Sequence, residues 1–447
     1  MSRTRIVLAA TPLGAATVAA ALDAGLLAPA DRNVLLVCNG AAVPEATPAP
    51  DTAPDFGALR ARFDRVLSWN DAIAPLTPRN WSPRADDVPL WERHLRRLWD
   101  LGEDGVELVV TSPHAGPASA LVDIFPDAPV EVYGDGLAVY GPTLSRPDPL
   151  ITTRVNRVLH PDLVPGLRPL LLSEHGVHAE PVPADVLIGV LAGMAEHDAA
   201  PAPLPEGGAL VLGQDLSALG ILAADEAEEL HVRMVRGAVA AGHRTVVFAP
   251  HPAAPAHWSR RLEREAAALG AELTVAGASE PAELLLARAR PRLVAGCFSG
   301  ALFTASALYG LPVARVGTES VLERLSPYAN GNRVPVTLAD RLLPDLEDRQ
   351  AVDAWLPPTA ERIERDLTPL VRAVAYAMQH RTYAHLRDDA VRYLTDHLDS
   401  GTWRYFTRRR LASLGLPGAV PSQLAFLPAN PTVRRVARRI RHVASRR

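Results

Sequence analysis

Runs of consecutive Val, Ile, Leu and Ala recur along the chain, and between them apolar positions repeat at helical spacing. In the first half the runs are "RIVLAA" (5–10), "NVLLVCNG" (33–40), "RVLSWN" (65–70), "VELVVTS" (106–112) and "VEVYGDG" (130–136). Stretches 14–27, 88–100 and 116–124 read as helices between them. Short, unbroken apolar runs predict strands buried on both faces. Their alternation with helices predicts a parallel sheet flanked by helices. The Pro/Ala-rich "EHDAAPAPLPEGG" (196–208) interrupts the pattern and reads as a linker. The pattern then restarts with "ALVLGQ" (209–214), "TVVFAPHP" (245–252), "AELTVAG" (271–277), "RLVAGCFS" (292–299) and "PVARVG" (312–317), with helices predicted over 224–241, 258–268, 281–289 and 300–309. The expected fold is α/β: a doubly wound domain over 1–195, a second over 209–345, and a helical extension over 346–447 ending in a basic tail.

Composition narrows the function classes. The 447 residues are 48% hydrophobic and 21% charged, which suits a large core. All 46 basic residues are arginine, and with 41 prolines this reflects a compositional bias rather than a function. The net charge of -4 conceals an asymmetry. Residues 401–447 hold eleven arginines and no carboxylate, so residues 1–400 carry a net -15. An acidic body argues against nucleic acid as a partner. Cys38 and Cys297 have no metal or disulfide spacing and read as small core residues. The 14 histidines contain no H-E-x-x-H pattern, so nothing points to zinc or another metal. The apolar start, "MSRTRIVLAATPLGAATVAAALDAGLL", is broken by Pro12, Gly14 and Asp23. It reads as a buried strand, turn and helix rather than a signal peptide or membrane span. The sequon at Asn80 therefore carries little weight, and a cytoplasmic location is expected.

Open parallel sheets bind ligands beyond the carboxyl ends of their strands, so two such domains place the natural site in the cleft between them. Three strand-end loops carry polar chemistry. Asp135 lies in "EVYGDGLAVYG", His251 in "FAPHP" and Ser299 in "GCFSGALFTA". Each also has a structural reading. Asp-Gly forms turns, a His before Pro can simply end a strand, and Ser299 can serve as a helix N-cap. A second His-Pro, at His160, shows how readily that pair arises. Taken together the three complement one another. Ser299 with the amides of Gly300 and Ala301 would form a phosphate site at a helix N-terminus. His251 could stabilise or protonate a leaving phosphate, and Asp135 could take a proton from an attacking hydroxyl.

An acidic-Gly motif, then His-Pro, then a Ser motif, in this order on two Rossmann-like domains, resembles the bacterial sialyltransferases of the GT-B type. The alpha-2,8-polysialyltransferase family of capsule polymerases is the nearest likeness, over most of residues 1–345. The resemblance implies transfer of sialic acid from CMP-sialic acid to a glycan hydroxyl, with inversion and with no metal or other cofactor. It also implies Asp135 as general base, His251 of the His251-Pro252 pair on the departing phosphate, and Ser299 and Gly300 at that phosphate. Two positions depart from the family pattern: Gly134 replaces the first acid of the triplet, and Ser299 stands alone in the phosphate motif.

Further positions are expected near the ligands. Gln214 would face the nucleotide, and Glu280 would either accept the ribose hydroxyls or serve as a helix N-terminal charge. Thr11, after the first strand, lines the cleft or merely makes a turn. In the tail, "NPTVRRVARRIRHVASRR" sets Val433, Val436, Ile440 and Val443 at helical spacing among arginines. That pattern suits either a peripheral contact with anionic membrane at the inner face of the cell membrane or a solvated chain end. Two other functions fit the same loops: a CDP-alcohol phosphotransferase of teichoic-acid polymerase type, and a non-catalytic sugar-nucleotide-binding protein.

Overall fold

The computed structural model describes residues 2–419, apart from 42, 48, 54–55, 79–80, 146–147, 197–203, 252–253, 255, 278–279 and 400. The basic tail, Pro252 and most of the expected linker therefore lie outside the described residues.

Two all-parallel sheets organise the chain. The first has seven strands: β1 (Arg3–Ala9), β2 (Arg32–Val37), β3 (Arg65–Ser68), β4 (Gly105–Val110), β5 (Val130–Tyr133), β6 (Val155–Pro161) and β7 (His178–Val182), in spatial order β3-β2-β1-β4-β5-β6-β7. The second has five: β8 (Ala209–Leu212), β9 (Thr245–Ala249), β10 (Glu272–Val275), β11 (Leu293–Gly296) and β12 (Val313–Arg315), in order β10-β9-β8-β11-β12. These are the two Rossmann-like domains of a GT-B architecture. The helices needed below are α1 (Pro12–Asp23), α2 (Val88–Leu98), α3 (Ala118–Ile124), α4 (Ala184–Ala195), α5 (Ala224–Ala240), α6 (Ala256–Ala268), α7 (Ala282–Ala289), α8 (Gly300–Ala307), α9 (Arg333–Leu342), α10 (Thr368–Met378) and α11 (Arg387–His397).

The central strands are covered on both faces, which is why their sequences are unbroken apolar runs. Six of the seven β1 residues are buried, as are all of β8 and β11. The periodicity misses β6 and β7 because their polar residues are neutralised by pairing rather than by solvent. Arg157 of β6 sits between Glu131 of β5 (3.0 Å) and Glu180 of β7 (2.7 Å). It also misses α4, which is apolar nearly all round because it is packed between α1 and α7.

The domains are joined by side chains as well as by chain. Leu284 of α7 lies in a core cluster with Val7, Ala15, Tyr133 and Leu187 of the first domain. The extension straps both halves together. The Tyr383 hydroxyl, between α10 and α11, accepts from the Thr143 amide (3.0 Å) and lies 2.6 Å from the Leu170 carbonyl. Farther along, Arg404 pairs with Asp340 of α9 (3.2 Å), and the Tyr405 hydroxyl donates to the same carboxylate (2.7 Å).

In each sheet the strand order reverses once, between β1 and β4 and between β8 and β11. These switch points open crevices at the carboxyl edges, and the polar loops gather around them.

Candidate active site

At the first sheet, β5 is pinned before its reactive residue appears. The buried Tyr133 donates its hydroxyl proton to the Leu8 carbonyl of β1 (2.9 Å). The Gly134 amide then donates to Leu159 of β6 (2.8 Å), which extends the ladder by one residue. A Cβ at Gly134 would stand 2.9 Å from Val139 Cβ, so this position excludes any side chain, acidic or not. Asp135 turns off the sheet edge and accepts a 2.7 Å hydrogen bond at Oδ2 from the Thr11 hydroxyl. Thr11 is itself the N-cap of α1, accepting from the Gly14 amide (3.0 Å). A Cβ at Gly14 would approach Thr11 Oγ1 to 2.9 Å and the Tyr133 hydroxyl to 3.0 Å, so the approach requires glycine. Thr11 is thus both the turn residue and a cleft residue. Its bond holds the carboxylate beside the positive end of α1. Among the described residues Asp135 Oδ1 has no hydrogen bond.

The second sheet holds its groups by a relay. The Gln214 amide donates to His231 Nε2 (3.0 Å), and Gln214 Oε1 accepts from the Phe298 amide (2.9 Å). One residue therefore ties the ends of β8 and β11 across the switch point. His231 of α5 is buried, with its ring edge against Phe248. Burial pushes its pKa down to about 4 against the opposing Asp215 charge, so it is a neutral acceptor. Asp215 accepts from the Ser217 hydroxyl (2.6 Å) and the Ala218 amide (3.0 Å). Burial works to raise its pKa, but those bonds and the His251 charge hold the carboxyl below its ordinary value. His251 follows β9 at the edge. Partial desolvation lowers its pKa, and the Asp215 charge opposes that shift. Gly213 lets the β8 loop approach so closely: a Cβ there would be 2.9 Å from the Ala249 carbonyl and 3.2 Å from the His251 amide.

Ser299 is the N-cap of α8, its hydroxyl accepting from the Ala301 amide (3.3 Å). A Cβ at Gly300 would meet nothing within 4 Å, so the space before the helix is open. Glu280 forms a largely buried ion pair with Arg288 of α7, so its carboxylate has a partner within the domain.

Sequence reasoning missed three contributors: Asp215, His231 and Glu283. Asp215 directly follows Gln214, and His231 shows in the sequence only as a histidine among the apolar positions of α5. Glu283, in the first turn of α7, is 9% exposed and gave no signal beyond a helix N-terminal acid. Burial raises its pKa against a hydrogen bond from its own backbone amide, and the Asp135 charge adds a smaller push in the same direction.

On the same edge as Asp135, beyond β2 and β3, lies a cavity of about 380 Å³ lined by Asn39, Thr47, Ser68, Asn70 and Asp71 among others. His175 and His178 have H-x-x-H spacing, yet among the described residues no three His, Cys, Asp or Glu side chains converge where they could hold a metal. No helix among the described residues is long and apolar enough to cross a membrane.

The alpha-2,8-polysialyltransferase family model matches residues 5–318, and so spans both sheets and stops before the extension. No curated protein sequence matches. Among solved structures, a sialyltransferase from Photobacterium damselae (its GT-B domain) is similar at 10% identity, covering 76% of this chain and 96% of that one, with a TM-score of 0.40. MurG of Acinetobacter baumannii is similar at 14% identity over 89% and 98% of the two chains, with a TM-score of 0.39. A UDP-GlcNAc 2-epimerase from Methanocaldococcus jannaschii is similar at 9% identity over 81% and 93%, with a TM-score of 0.45. With a family match running through both Rossmann-like domains, the chain is a glycosyltransferase of the sialyltransferase kind and belongs to the alpha-2,8-polysialyltransferase family.

Proposed function

We propose that the protein moves sialic acid, or a related nonulosonic acid, from its CMP-linked donor to a glycan hydroxyl, with inversion and without a metal. The observation that carries this reading is the Thr11–Asp135 hydrogen bond. It steadies one carboxylate oxygen and leaves the other without a hydrogen bond among the described residues, as a general base requires. The acceptor hydroxyl gives its proton to Asp135 Oδ1 as its oxygen attacks the anomeric carbon. The bond from that carbon to the phosphate oxygen breaks on the opposite face, so configuration inverts. Negative charge then grows on the CMP phosphate. His251, whose charged form Asp215 favours although burial lowers its pKa overall, and the amides opening α8 would stabilise that charge, a role a metal would otherwise fill. The polar cavity beyond β2 and β3 suits the hydroxyl-rich body of an acceptor.

The test is a donor panel. CMP-sialic acid, CMP-Kdo and CDP-glycerol are each incubated with acceptor glycan, and nucleotide release is followed. Release of CMP from CMP-sialic acid, with an inverted product anomer and a rate unchanged by chelator, is expected. Turnover of CDP-glycerol alone would replace the reading with the phosphotransferase one, and nucleotide binding with no release would leave a binding protein.

A further inference from the structure

A cavity of about 360 Å³ lies where the extension meets the first domain. One wall is the Gly166–Leu170 loop, and the other is α10, α11 and Glu364 before them. That second wall lies beyond residue 318, where the family match ends. The walls are clamped together: a Cβ at Gly166 would stand 2.7 Å from the Ala360 backbone, so the approach requires glycine. The Leu170 and Leu171 amides both donate to the Val139 carbonyl (3.1 Å each), in the short helical turn that follows Asp135. On α11 the cavity is lined by Asp389, Arg392, Tyr393, Asp396 and His397, whose spacing puts them on one helix face. A helix face turned toward a packed neighbour is ordinarily apolar; this one is charged around an aromatic pair. The Tyr393 ring stacks on His397, with centroids 4.8 Å apart and planes 8° from parallel, and His397 is exposed. Leu167, Leu170 and Val371 give a buried apolar floor. Arg372 and Arg392 share Asp389 (2.9 and 3.5 Å). The side chains of Arg168, Glu364 and Asp396 line the same space and have no hydrogen bond or ion pair among the described residues.

We propose that this cavity is a second sugar-binding site, which takes an uncharged glycan segment between the first domain and the extension. Three guanidinium groups (Arg168, Arg372, Arg392) stand against three carboxylates (Glu364, Asp389, Asp396), so the lining is electrically balanced. A polyanion or a cation gains little from such a lining. What it offers is donors and acceptors side by side. Each guanidinium has five N–H donors, Asp389 occupies only part of that capacity, and the carboxylates only accept. A sugar hydroxyl both donates and accepts, so it can bridge an arginine and a carboxylate. The C–H face of a pyranose ring packs on an aromatic surface, which the Tyr393–His397 stack supplies. An apolar floor with a few orienting polar groups is the usual make-up of a small-ligand pocket, and the volume falls in that class. The site goes beyond the transfer reading and does not depend on it.

The experiment measures binding by the full chain, with no donor present. Saturation-transfer NMR and calorimetry are run with four neutral probes, maltotetraose, cellotetraose, mannotetraose and lacto-N-tetraose, and with α2,8-linked tetrasialic acid as the anionic comparison. At least one neutral probe should bind, and more tightly than tetrasialic acid. His397→Ala and Arg168→Ala should each weaken that binding about tenfold, the size of one hydrogen bond to a charged group. Both residues are exposed, so thermal unfolding should be unchanged. Asp135→Asn should bind the probe as the wild type does, which separates this site from the transfer cleft. The proposal is overturned if no neutral probe binds, if His397→Ala and Arg168→Ala both bind normally, or if Asp135→Asn abolishes binding. Tighter binding of tetrasialic acid that the same two variants weaken would make the cavity an anion site and would equally overturn it. Asp396→Asn, also on the exposed end of α11, repeats the test should either alanine variant fail to fold.

Discussion

Asp135 hangs from a single hydroxyl at the edge of the seven-stranded sheet, whereas His251 stands in a web at the edge of the five-stranded one. Thr11 supplies the only hydrogen bond to the Asp135 carboxylate among the described residues. Around His251, Asp215 is held by Ser217 and Ala218, and Gln214 binds His231 and Phe298 in one chain of contacts. The difference suits the two tasks. A base must take up a proton from an incoming hydroxyl, so it keeps one oxygen free. A group that meets a phosphate must offer charge in fixed positions, because preorganised dipoles cost nothing to reorient as charge develops.

That contrast can be broken at either edge. Asp135→Asn removes the base and should cut transfer by about 10³-fold, with CMP binding retained by calorimetry. His251→Ala should cost about 10²-fold, and less with a donor whose leaving group needs little stabilisation. Asp215→Asn tests the web. Asp215 holds the His251 pKa up against burial, so its loss lets that pKa fall. The alkaline limb of the rate profile should then move to lower pH, with a loss of rate at pH 7. Thr11→Val should lower the rate roughly fivefold, the size of one modest hydrogen bond. It should also cost about 1 kcal/mol in denaturant unfolding, from the lost α1 cap. The smallest effect is expected from removing residues 420–447. Turnover of a soluble acceptor should be unchanged, while co-sedimentation with anionic vesicles falls if the arginines meet lipid.

Much of the fold was legible because burial on both faces leaves little choice of composition. Strands β1 to β5 and β8 to β12 announce themselves as apolar runs, and α1, α5 and α8 follow them at the expected places. β6 and β7 were not legible, since Arg157 is neutralised by glutamates of neighbouring strands and no local pattern reveals that pairing.

For the site, the chain by itself determined which loops carry chemistry: Asp135, His251 and Ser299 each follow a strand, and strand ends are where a parallel sheet leaves its crevices. Only tertiary structure decided what surrounds them. Gly134 lacks an acid because Val139 fills the space its side chain would need. Thr11 meets Asp135 across 124 residues, Glu280 is drawn to Arg288, and Glu283 is buried where α7 packs against α4 of the first domain. Local pattern encodes burial and turns, which neighbours in sequence set. The charge and proton occupancy of a cleft are set by groups that meet only when the two sheets are packed together.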